Sequence, residues 1–385
     1  MKYKRQQDKK YPQIIDNRYG VIKLLGRGGM GAVYKVKDLL NNKILALKML
    51  TEEASKSTAI MRFKNEFYYL TQLKHPNLCA VYDFGVTEKE NYYFTMDYVS
   101  GKNLKDAVKG LSYDEIYFLL VQVLRTLQYI HSKGIIHYDI KPSNILVESK
   151  AKSQMSNAKL MDFGLAGEVV SGSTGLIIRG TLNYIAPEMI KGVGVDVRAD
   201  LYSFGVLLYE LFTGQLPFKG DTSVVLLKEH LEKIPEAPRN LNPEIPDGLQ
   251  RIILKLLEKD PGDRFFSANE VIEAINEFSK EKFALQTKAT KESYILSGKF
   301  VGREKELERL KSIYHNLSVS LSPGLRVSPS PHLPVSPSPH LILITGESGI
   351  GKTRLLQEFR YYVQLERGRF FLGHCYSDVN VAYQP

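Results

Sequence analysis

The chain has 385 residues, of which 43% are hydrophobic and 24% are charged. This composition is that of an ordinary globular protein and excludes a wholly disordered or fibrous chain, while the length predicts two or three domains. The net charge of +10 raises the question of a nucleic-acid or membrane-surface partner. After the first ten residues, however, no dense basic block occurs, so we expect neither nucleic acid nor a membrane as a partner.

The cysteines and the apolar runs indicate the compartment. Cys79 and Cys375 are the only cysteines and lie far apart in the sequence, which excludes a disulfide framework and a cysteine-based zinc site. Such sparse usage fits a reducing compartment. No apolar run approaches the roughly 20 residues that span a bilayer, and no apolar stretch follows the basic N-terminus as in a secretory signal. We therefore expect a cytoplasmic protein.

The first 280 residues predict a β-rich part followed by a helical part. Residues 1–18 form a basic tail, and strands are predicted at residues 19–25, 32–38, 43–50, 79–85 and 92–98. Apolar residues at three- and four-residue spacing predict a helix at residues 59–73. From Leu104 onward the same spacing predicts helices at residues 116–131, 201–213, 249–257 and 268–278.

The remaining residues change character several times. Residues 281–299 are polar without a clear period and predict a linker, and residues 300–316 predict a charged helix. Residues 318–340 are rich in proline and serine and contain most of a twice-occurring unit, Val-Ser-Pro-Ser-Pro-His-Leu. Proline at this density predicts an extended or disordered spacer. A short strand at residues 341–344 should then lead through a glycine-rich loop into a helix.

A glycine-rich hairpin is the first sign of phosphate chemistry. Its glycines would let backbone N–H groups approach phosphate oxygens, although a GxGxxG pattern alone is also typical of a flexible hairpin. Lys48, on the next predicted strand, could pair with Glu66 on the following helix and point at those phosphates. The hairpin reads Gly26-Arg27-Gly28-Gly29-Met30-Gly31-Ala32-Val33.

Three further motifs decide between these interpretations, because they occur in order at a spacing that chance does not supply. With them, residues 19–278 resemble a eukaryotic-type, bacterial Ser/Thr protein kinase domain. The resemblance implies an α+β, two-lobed kinase fold with a β-rich N-lobe and a helical C-lobe, and we place this domain at residues 19–280. The motifs are His137-Tyr138-Asp139-Ile140-Lys141-Pro142-Ser143-Asn144, Asp162-Phe163-Gly164 and Ala186-Pro187-Glu188.

The resemblance assigns the catalytic roles. Asp139 would accept the proton of the attacking hydroxyl, and Lys141 would contact the γ-phosphate. ATP and Mg²⁺ are the implied cofactors, with Asn144 and Asp162 as the oxygen ligands of the metal. The implied nucleotide-binding residues also include the pair Lys48 and Glu66. The full nucleotide set is Leu25, Gly26, Arg27, Gly28, Gly29, Met30, Gly31, Ala32, Val33, Ala46, Lys48, Asp97, Val99 and Leu146.

Within that set, Leu25, Val33, Ala46 and Leu146 would enclose the adenine ring, Met96 would be the gatekeeper, and Asp97 and Val99 would offer backbone groups to the adenine edge. Outside it, the implied roles concern the protein substrate and the helical lobe. Thr181 resembles the substrate-loop threonine that favours Ser or Thr acceptors, and the expected partners are proteins that carry such acceptors. His137 is expected to support packing, and Glu188 to pair with Arg264.

Two residues depart from the family pattern. Tyr138 stands where most of these kinases carry an arginine that pairs with a phosphorylated activation loop, and tyrosine offers no charged bidentate pairing. We therefore hypothesise that activity depends little on phosphorylation of Ser171, Ser173 or Thr174. Tyr202 stands where tryptophan is usual, a change that we interpret as tolerated. The alternative function is a nucleotide-binding pseudokinase scaffold attached to a signalling ATPase.

A second glycine-rich loop lies near the C-terminus and fits G-x-x-x-x-G-K-[ST]. Together with residues 300–304 it resembles the start of the AAA-type P-loop ATPase domain of large signalling ATPases, and we place this incomplete domain at residues 300–385. Few residues follow Lys352, so we expect nucleotide binding here to be weak or absent, and self-association would run through a region beyond Pro385. The candidate second nucleotide site comprises Gly346, Gly351, Lys352 and Thr353.

Overall fold

A computed structural model describes residues 13–28, 31–50, 57–148, 156–163, 167–168, 181–296, 302–319, 342–347, 349–368 and 370. The chain divides into two compact units, each described by itself below. The first comprises Met1–Tyr82 with Thr87–Gly298, and the second Asp83–Val86 with Lys299–Pro385.

An antiparallel sheet of six strands forms the N-terminal part, in the order β1-β2-β3-β4-β6-β5. Its inner face follows the period-two pattern of the sequence, since Tyr34 and Val36 of β3 and Leu45 and Leu47 of β4 are buried in one apolar cluster. The strands are β1 (Ile14–Ile15), β2 (Tyr19–Gly28), β3 (Gly31–Asp38), β4 (Ile44–Leu50), β5 (Val81–Val86) and β6 (Tyr92–Asp97).

Helix α1 (Ser57–Gln72) lies against this sheet through its aromatic face. The rings of Phe63 and Phe67 pack on Phe94 of β6, with ring centroids 4.9 and 5.8 Å apart. These phenylalanines are among the apolar residues whose spacing predicts the helix, so the same periodicity that forms the helix also docks it. The docking carries Glu66, on the same helix, into the interior, where it is only 3% exposed.

The helical part is organised around two long helices. Helix α3 begins at a complete capping box, in which Ser112 and Glu115 exchange bonds, and helix α5 ends at Gly214, whose φ of 77° suits glycine. The helices are α2 (Leu104–Ala107), α3 (Tyr113–Ser132), α4 (Pro187–Lys191), α5 (Arg198–Thr213), α6 (Ser223–Glu232), α7 (Pro238–Leu241), α8 (Asp247–Leu256) and α9 (Ala268–Phe278). Short strands accompany them, namely β7 (Gly101–Asn103), β8 (Ile135–Ile136), β9 (Ile145–Glu148), β10 (Ala158–Leu160) and β11 (Gly167–Glu168).

The segment predicted as a linker, residues 281–299, differs from that expectation over its described part. Residues 281–296 stay with the first unit, and they contain a helix, α10 (Lys288–Leu296). Phe283, Thr290 and Ser293 are buried there. The polar composition hid this docking because much of the burial involves hydroxyl groups bonded to nearby backbone, such as Ser293 Oγ to the Ala289 oxygen.

In the second unit, helices α11 (Glu304–Val319) and α12 (Lys352–Leu365) pack together. The ring of Tyr314 meets that of Phe359 edge-on, with centroids 6.3 Å apart. The strand expected at residues 341–344 is not formed at residues 342–344, because a strand needs a hydrogen-bonded neighbour and the described part of this unit provides none. Across the described ranges of both units, no helix is long and apolar enough to cross a membrane.

Candidate active site

A buried ion pair joins the sheet to helix α1. Lys48 on β4 places its Nζ 2.7 and 2.8 Å from the two carboxylate oxygens of Glu66, and 2.8 Å from Oδ1 of Asp162. Burial alone would lower the pKa of Lys48, but the two carboxylates hold it above its usual value. Partial burial opposes ionisation of Asp162, yet Lys48 lowers the pKa of that carboxyl to about 2. The lysine and Asp162 are therefore both charged near neutral pH.

Asp139 lies at the centre of a second cluster. Its Oδ1 accepts bonds from the backbone N–H and the hydroxyl of Thr181, at 3.0 and 2.9 Å, and its Oδ2 lies 2.7 Å from Lys141 Nζ. Asn144 donates its amide to Oδ2 and to the backbone oxygen of Asp139, both at 2.8 Å. Both oxygens of the carboxylate are thus held in place by residues from two separate segments of the chain.

Asn144 and Asp162 provide the donor chemistry that magnesium prefers. The amide hydrogens of Asn144 are used on Asp139, so its Oδ1 is the atom that could ligate a metal. Asp162 adds a carboxylate whose side chain is 46% exposed. Among the described residues no group of three or more His, Cys, Asp or Glu side chains could hold a metal ion.

Asp200 holds the backbone of His137 and Tyr138, a role that the sequence analysis did not assign. Its buried carboxylate accepts the backbone N–H groups of His137 and Tyr138, both at 2.9 Å, and His131 Nε2 lies 2.8 Å away. These bonds hold Tyr138 at a φ of 65°, the left-handed region. The one local sign in the sequence is the segment Asp200-Leu201-Tyr202-Ser203-Phe204-Gly205, which also contains Tyr202.

His137 packs as expected and also links the two loops. Its ring meets the ring of Phe163 at a centroid distance of 4.6 Å, and its Nε2 lies 3.1 Å from the backbone oxygen of Met161. Burial lowers the pKa of His137, so the ring is neutral near pH 7. A buried, neutral histidine with both nitrogens near backbone groups is suited to holding Asp139 and Asp162 at a fixed separation.

The glycine-rich hairpin joins β2 to β3, with Gly26 opposite Val33, Arg27 opposite Ala32 and Gly28 opposite Gly31. A Cβ added to Gly31 would lie 2.3 Å from the Met49 oxygen, so packing requires this glycine. A Cβ added to Gly26 or Gly28 would meet no protein atom within 4 Å. Packing against the described residues therefore does not account for these two glycines. Gly29 and Met30, at the tip, lie outside the described residues.

The residues expected around adenine lie on several strands. Ala46 of β4 is opposite Met96 of β6, and Val33 is opposite Lys48. The Asp97 N–H donates to the Ala80 oxygen, so the Asp97 carbonyl is the group it can offer to a ligand. Leu25 lies at an irregular point of β2, and Val99 follows β6 in a buried position. Leu146 pairs with Asn103 through β9 and β7.

A buried ion pair fixes the helical part beneath this site. Both guanidinium ends of Arg264 bond to Glu188, at 2.7 and 2.8 Å, which confirms the expected partner. The ring of Tyr202 lies 4.8 Å from the guanidinium carbon, and its hydroxyl lies 3.0 Å from His230 Nδ1. Tyr202 therefore fills the position where tryptophan is usual, and it is fully buried there.

The glycine-rich loop near the C-terminus is built differently. Gly351, with a φ of 95°, begins helix α12, and Lys352 Nζ donates to the backbone oxygens of Gly346 and Glu347, both at 2.7 Å. Thr353 is exposed in the first turn of the helix. A cavity of about 550 Å³ adjoins this loop, and Arg303, Leu310, Thr345, Gly351, Lys352 and Leu355 are among the residues that line it.

Several further predictions fall on residues that lie outside the described ranges. They concern the third residue of the Asp-Phe-Gly motif, the activation-loop hydroxyls and most of the proline-rich repeat. The residues are Gly164, Ser171, Ser173, Thr174, residues 320–340 and the start of the AAA-like segment at residues 300–301.

Comparison with known proteins gives a consistent result. The protein kinase domain family matches residues 19–275. A probable serine/threonine-protein kinase of Clostridium perfringens is 37% identical over 275 residues, covering 70% of this chain and 39% of the relative. The serine/threonine-protein kinase PrkC of Bacillus subtilis is 33% identical over 264 residues, covering 67% and 40%. A probable PknB of Lactococcus lactis is 34% identical over 268 residues, covering 68% and 42%.

The chain thus spans about two fifths of the length of these curated relatives. The predicted kinase domain of the Ser/Thr class is confirmed by the family match and by these relatives. Its two-lobed character agrees with the strand-rich and helical parts of the first unit. The chain belongs to the protein kinase domain family.

Proposed function

We propose that this chain is an ATP-dependent serine/threonine protein kinase that acts on protein hydroxyls in bacterial signal transduction, in the cytoplasm. The observation that carries the proposal is the arrangement around Asp139, whose two carboxylate oxygens are held by Thr181, Asn144 and Lys141. A carboxylate fixed in this way, with an ordered ion pair at Lys48 and Glu66 on the same unit, suits phosphoryl transfer, which depends on positioning and charge neutralisation.

Asp139 would accept the proton of the attacking hydroxyl. Thr181 bonds to Oδ1 of Asp139 and would act as a positioning residue that favours Ser or Thr over Tyr acceptors. Lys141 Nζ lies 2.6 Å from the Thr181 hydroxyl and could turn to a transferred phosphoryl oxygen. Bound ATP with Mg²⁺ would supply the phosphoryl group and neutralise its charge, with Asn144 and Asp162 holding the metal.

The sheet would hold the nucleotide. Gly26 and Gly28 leave room for close approach to the phosphates, and Lys48, already directed by Glu66, would contact them. The adenine ring would lie among Leu25, Val33, Ala46 and Leu146, with its edge facing the backbone of Asp97 and Val99.

Transfer of radiolabelled phosphate from ATP to a generic basic protein tests the proposal. We expect signal from the full chain, loss of at least about 100-fold in Asp139→Asn, and full signal in Asp247→Asn, a matched exposed change on α8. Activity that survives Asp139→Asn would show that the base is misassigned. An inactive wild-type chain that still binds nucleotide would favour the scaffold alternative.

We also propose that activity depends little on activation-loop phosphorylation. Tyr138 offers no cationic partner to a phosphate, and its backbone N–H is fixed by Asp200. The triple change of Ser171, Ser173 and Thr174 to alanine should leave most of the activity. A near-total loss would contradict this.

For the second unit we propose the start of a P-loop ATPase domain, in which Gly346, Gly351, Lys352 and Thr353 would face the phosphates. The fit is limited, since Lys352 is bonded to its own loop and a neighbouring strand is not among the described residues. We expect little ATP turnover from this unit. Turnover by an Asp139→Asn chain, lost on Lys352→Ala, would show that the second site is functional.

A further inference from the structure

The chain continues to contact the helical part beyond the end of the family match at residue 275. Arg125 of α3, only 9% exposed, directs Nε and Nη2 at the backbone oxygen of Ala284, with Nε 3.0 Å away. Asn276 bonds twice to the backbone of Phe283. Its Nδ2 donates to the Phe283 oxygen at 2.8 Å, and its Oδ1 accepts the Phe283 N–H at 2.7 Å. Burial lowers the pKa of Arg125, because it removes the guanidinium from water. The Ala284 oxygen replaces part of the lost hydration as a hydrogen-bond acceptor.

Helix α10 then brings Tyr294 onto α3. Its ring meets the ring of Tyr129 edge-on, with centroids 5.3 Å apart and planes at 84°. Thr290 and Ser293, on the same helix, are buried at 3% and 4% exposure. This contact is therefore a packed interface and not a loose passage of chain along the surface.

Tyr129 of α3 also contacts the loop that follows α1. Its hydroxyl accepts the backbone N–H of Lys74 at 2.9 Å, and its ring stacks on His75 with centroids 5.0 Å apart. Asn77 secures the loop further, donating to Gln122 of α3 at 2.7 Å and to the Ala158 oxygen at 2.8 Å. The loop begins where α1 ends, at Gln72, so fixing the loop fixes the end of that helix.

We propose that Tyr294 is a positioning residue for the phosphoryl-transfer site, acting through Tyr129 and the loop at residues 73–78 to hold helix α1, and with it Glu66, against Lys48. The inference rests on the proposed kinase function. The functional domain accordingly extends to residue 296.

An edge-to-face contact of this kind, if transmitted fully to α1, changes the equilibrium constant between the paired and unpaired states by about threefold to tenfold. Tyr294→Ala should therefore lower phosphate transfer by up to about that factor. Tyr294→Phe keeps the ring and should retain most of the activity. Ile253→Val, a buried change on α8, which packs on α5, α7 and α9, is the control for a general loss of stability.

The experiment uses the full chain at a temperature well below every variant's melting point. Phosphate transfer is measured together with deuterium uptake of the backbone amides of residues 57–72. We expect Tyr294→Ala to exchange these amides at least about threefold faster than the wild type, while Tyr294→Phe and Ile253→Val do not. Unchanged exchange in Tyr294→Ala, or equally fast exchange in Ile253→Val, would overturn the inference.

The two readouts separate this inference from the proposed function. If the wild-type chain transfers no phosphate, the kinase proposal fails, yet the exchange of helix α1 still decides whether Tyr294 holds it. If the chain is active and the exchange is unaffected by Tyr294→Ala, the kinase proposal stands and the positioning role is refuted.

Discussion

The ion pair between Glu188 and Arg264 should be the most sensitive charge pair of the helical lobe. Both residues are only 4% exposed. The guanidinium uses all five of its N–H groups, two on Glu188 and three on backbone oxygens of Glu258, Lys259 and Arg198. Glu188→Gln removes the counter-charge and sets an amide against a guanidinium that cannot move to water.

The expected loss of stability follows from the buried Arg264 charge that Glu188→Gln leaves without a counter-charge. Removing one partner of a buried pair leaves an uncompensated charge, which costs about 3–5 kcal/mol in free energy of unfolding. The matched control is Glu232→Gln on α6, where the partner is Lys228 and both side chains are about two thirds exposed or more. An exposed i,i+4 pair contributes at most about 0.5 kcal/mol.

Urea denaturation followed by circular dichroism, with both variants compared with the wild type, measures the difference. We expect the midpoint to fall sharply in Glu188→Gln and to stay within error in Glu232→Gln. If Glu188→Gln loses no more stability than the control, the buried pair does not hold the lobe and this account of Arg264 is wrong.

Two further changes test the packing and the buried histidines. Gly31→Ala places a Cβ against the Met49 oxygen and should cost about 1–3 kcal/mol in urea denaturation, whereas Gly20→Ala, with 3.5 Å of room, should cost less than half of that; equal losses would contradict the steric argument. Burial lowers the pKa of His75 to about 3 and of His230 to about 4, so both are neutral in the fold and take up protons on unfolding below pH 6.5. Stability should therefore fall by about 2 kcal/mol for each histidine between pH 7.5 and pH 5, and His230→Phe should remove about half of this dependence; an unchanged slope would refute it.

The sequence was sufficient for the elements with strong periodicity. The helix predicted at residues 59–73 is observed at Ser57–Gln72, and the one predicted at residues 268–278 is observed over the same range. Apolar spacing determines such elements because one face must be buried. Asp139 and Lys141 belong to a short local motif, which can be recognised in the sequence without knowledge of distant contacts.

What the sequence left out depends on contacts between distant residues. Asp200 lies more than 60 positions after the backbone groups that it binds, and no local pattern shows that its carboxylate is turned towards them. The docking of residues 281–296 was missed for the same reason, because Ala284 contributes only a backbone oxygen to Arg125. Every residue type has a backbone oxygen, so this acceptor cannot be recognised from the sequence, and the polar segment resembled a linker.

Lys48 and Lys352 are held in different ways. Lys48 meets Glu66 and Asp162, which lie 18 and 114 positions away, so its direction is set by the folded unit. Among the described residues, Lys352 bonds to the backbone oxygens of Gly346 and Glu347, six and five positions away, so its direction is set by its own loop. Carboxylates compensate the first charge before any ligand binds. Carbonyl dipoles compensate the second only in part, and a phosphate would have to displace both of them to bind there.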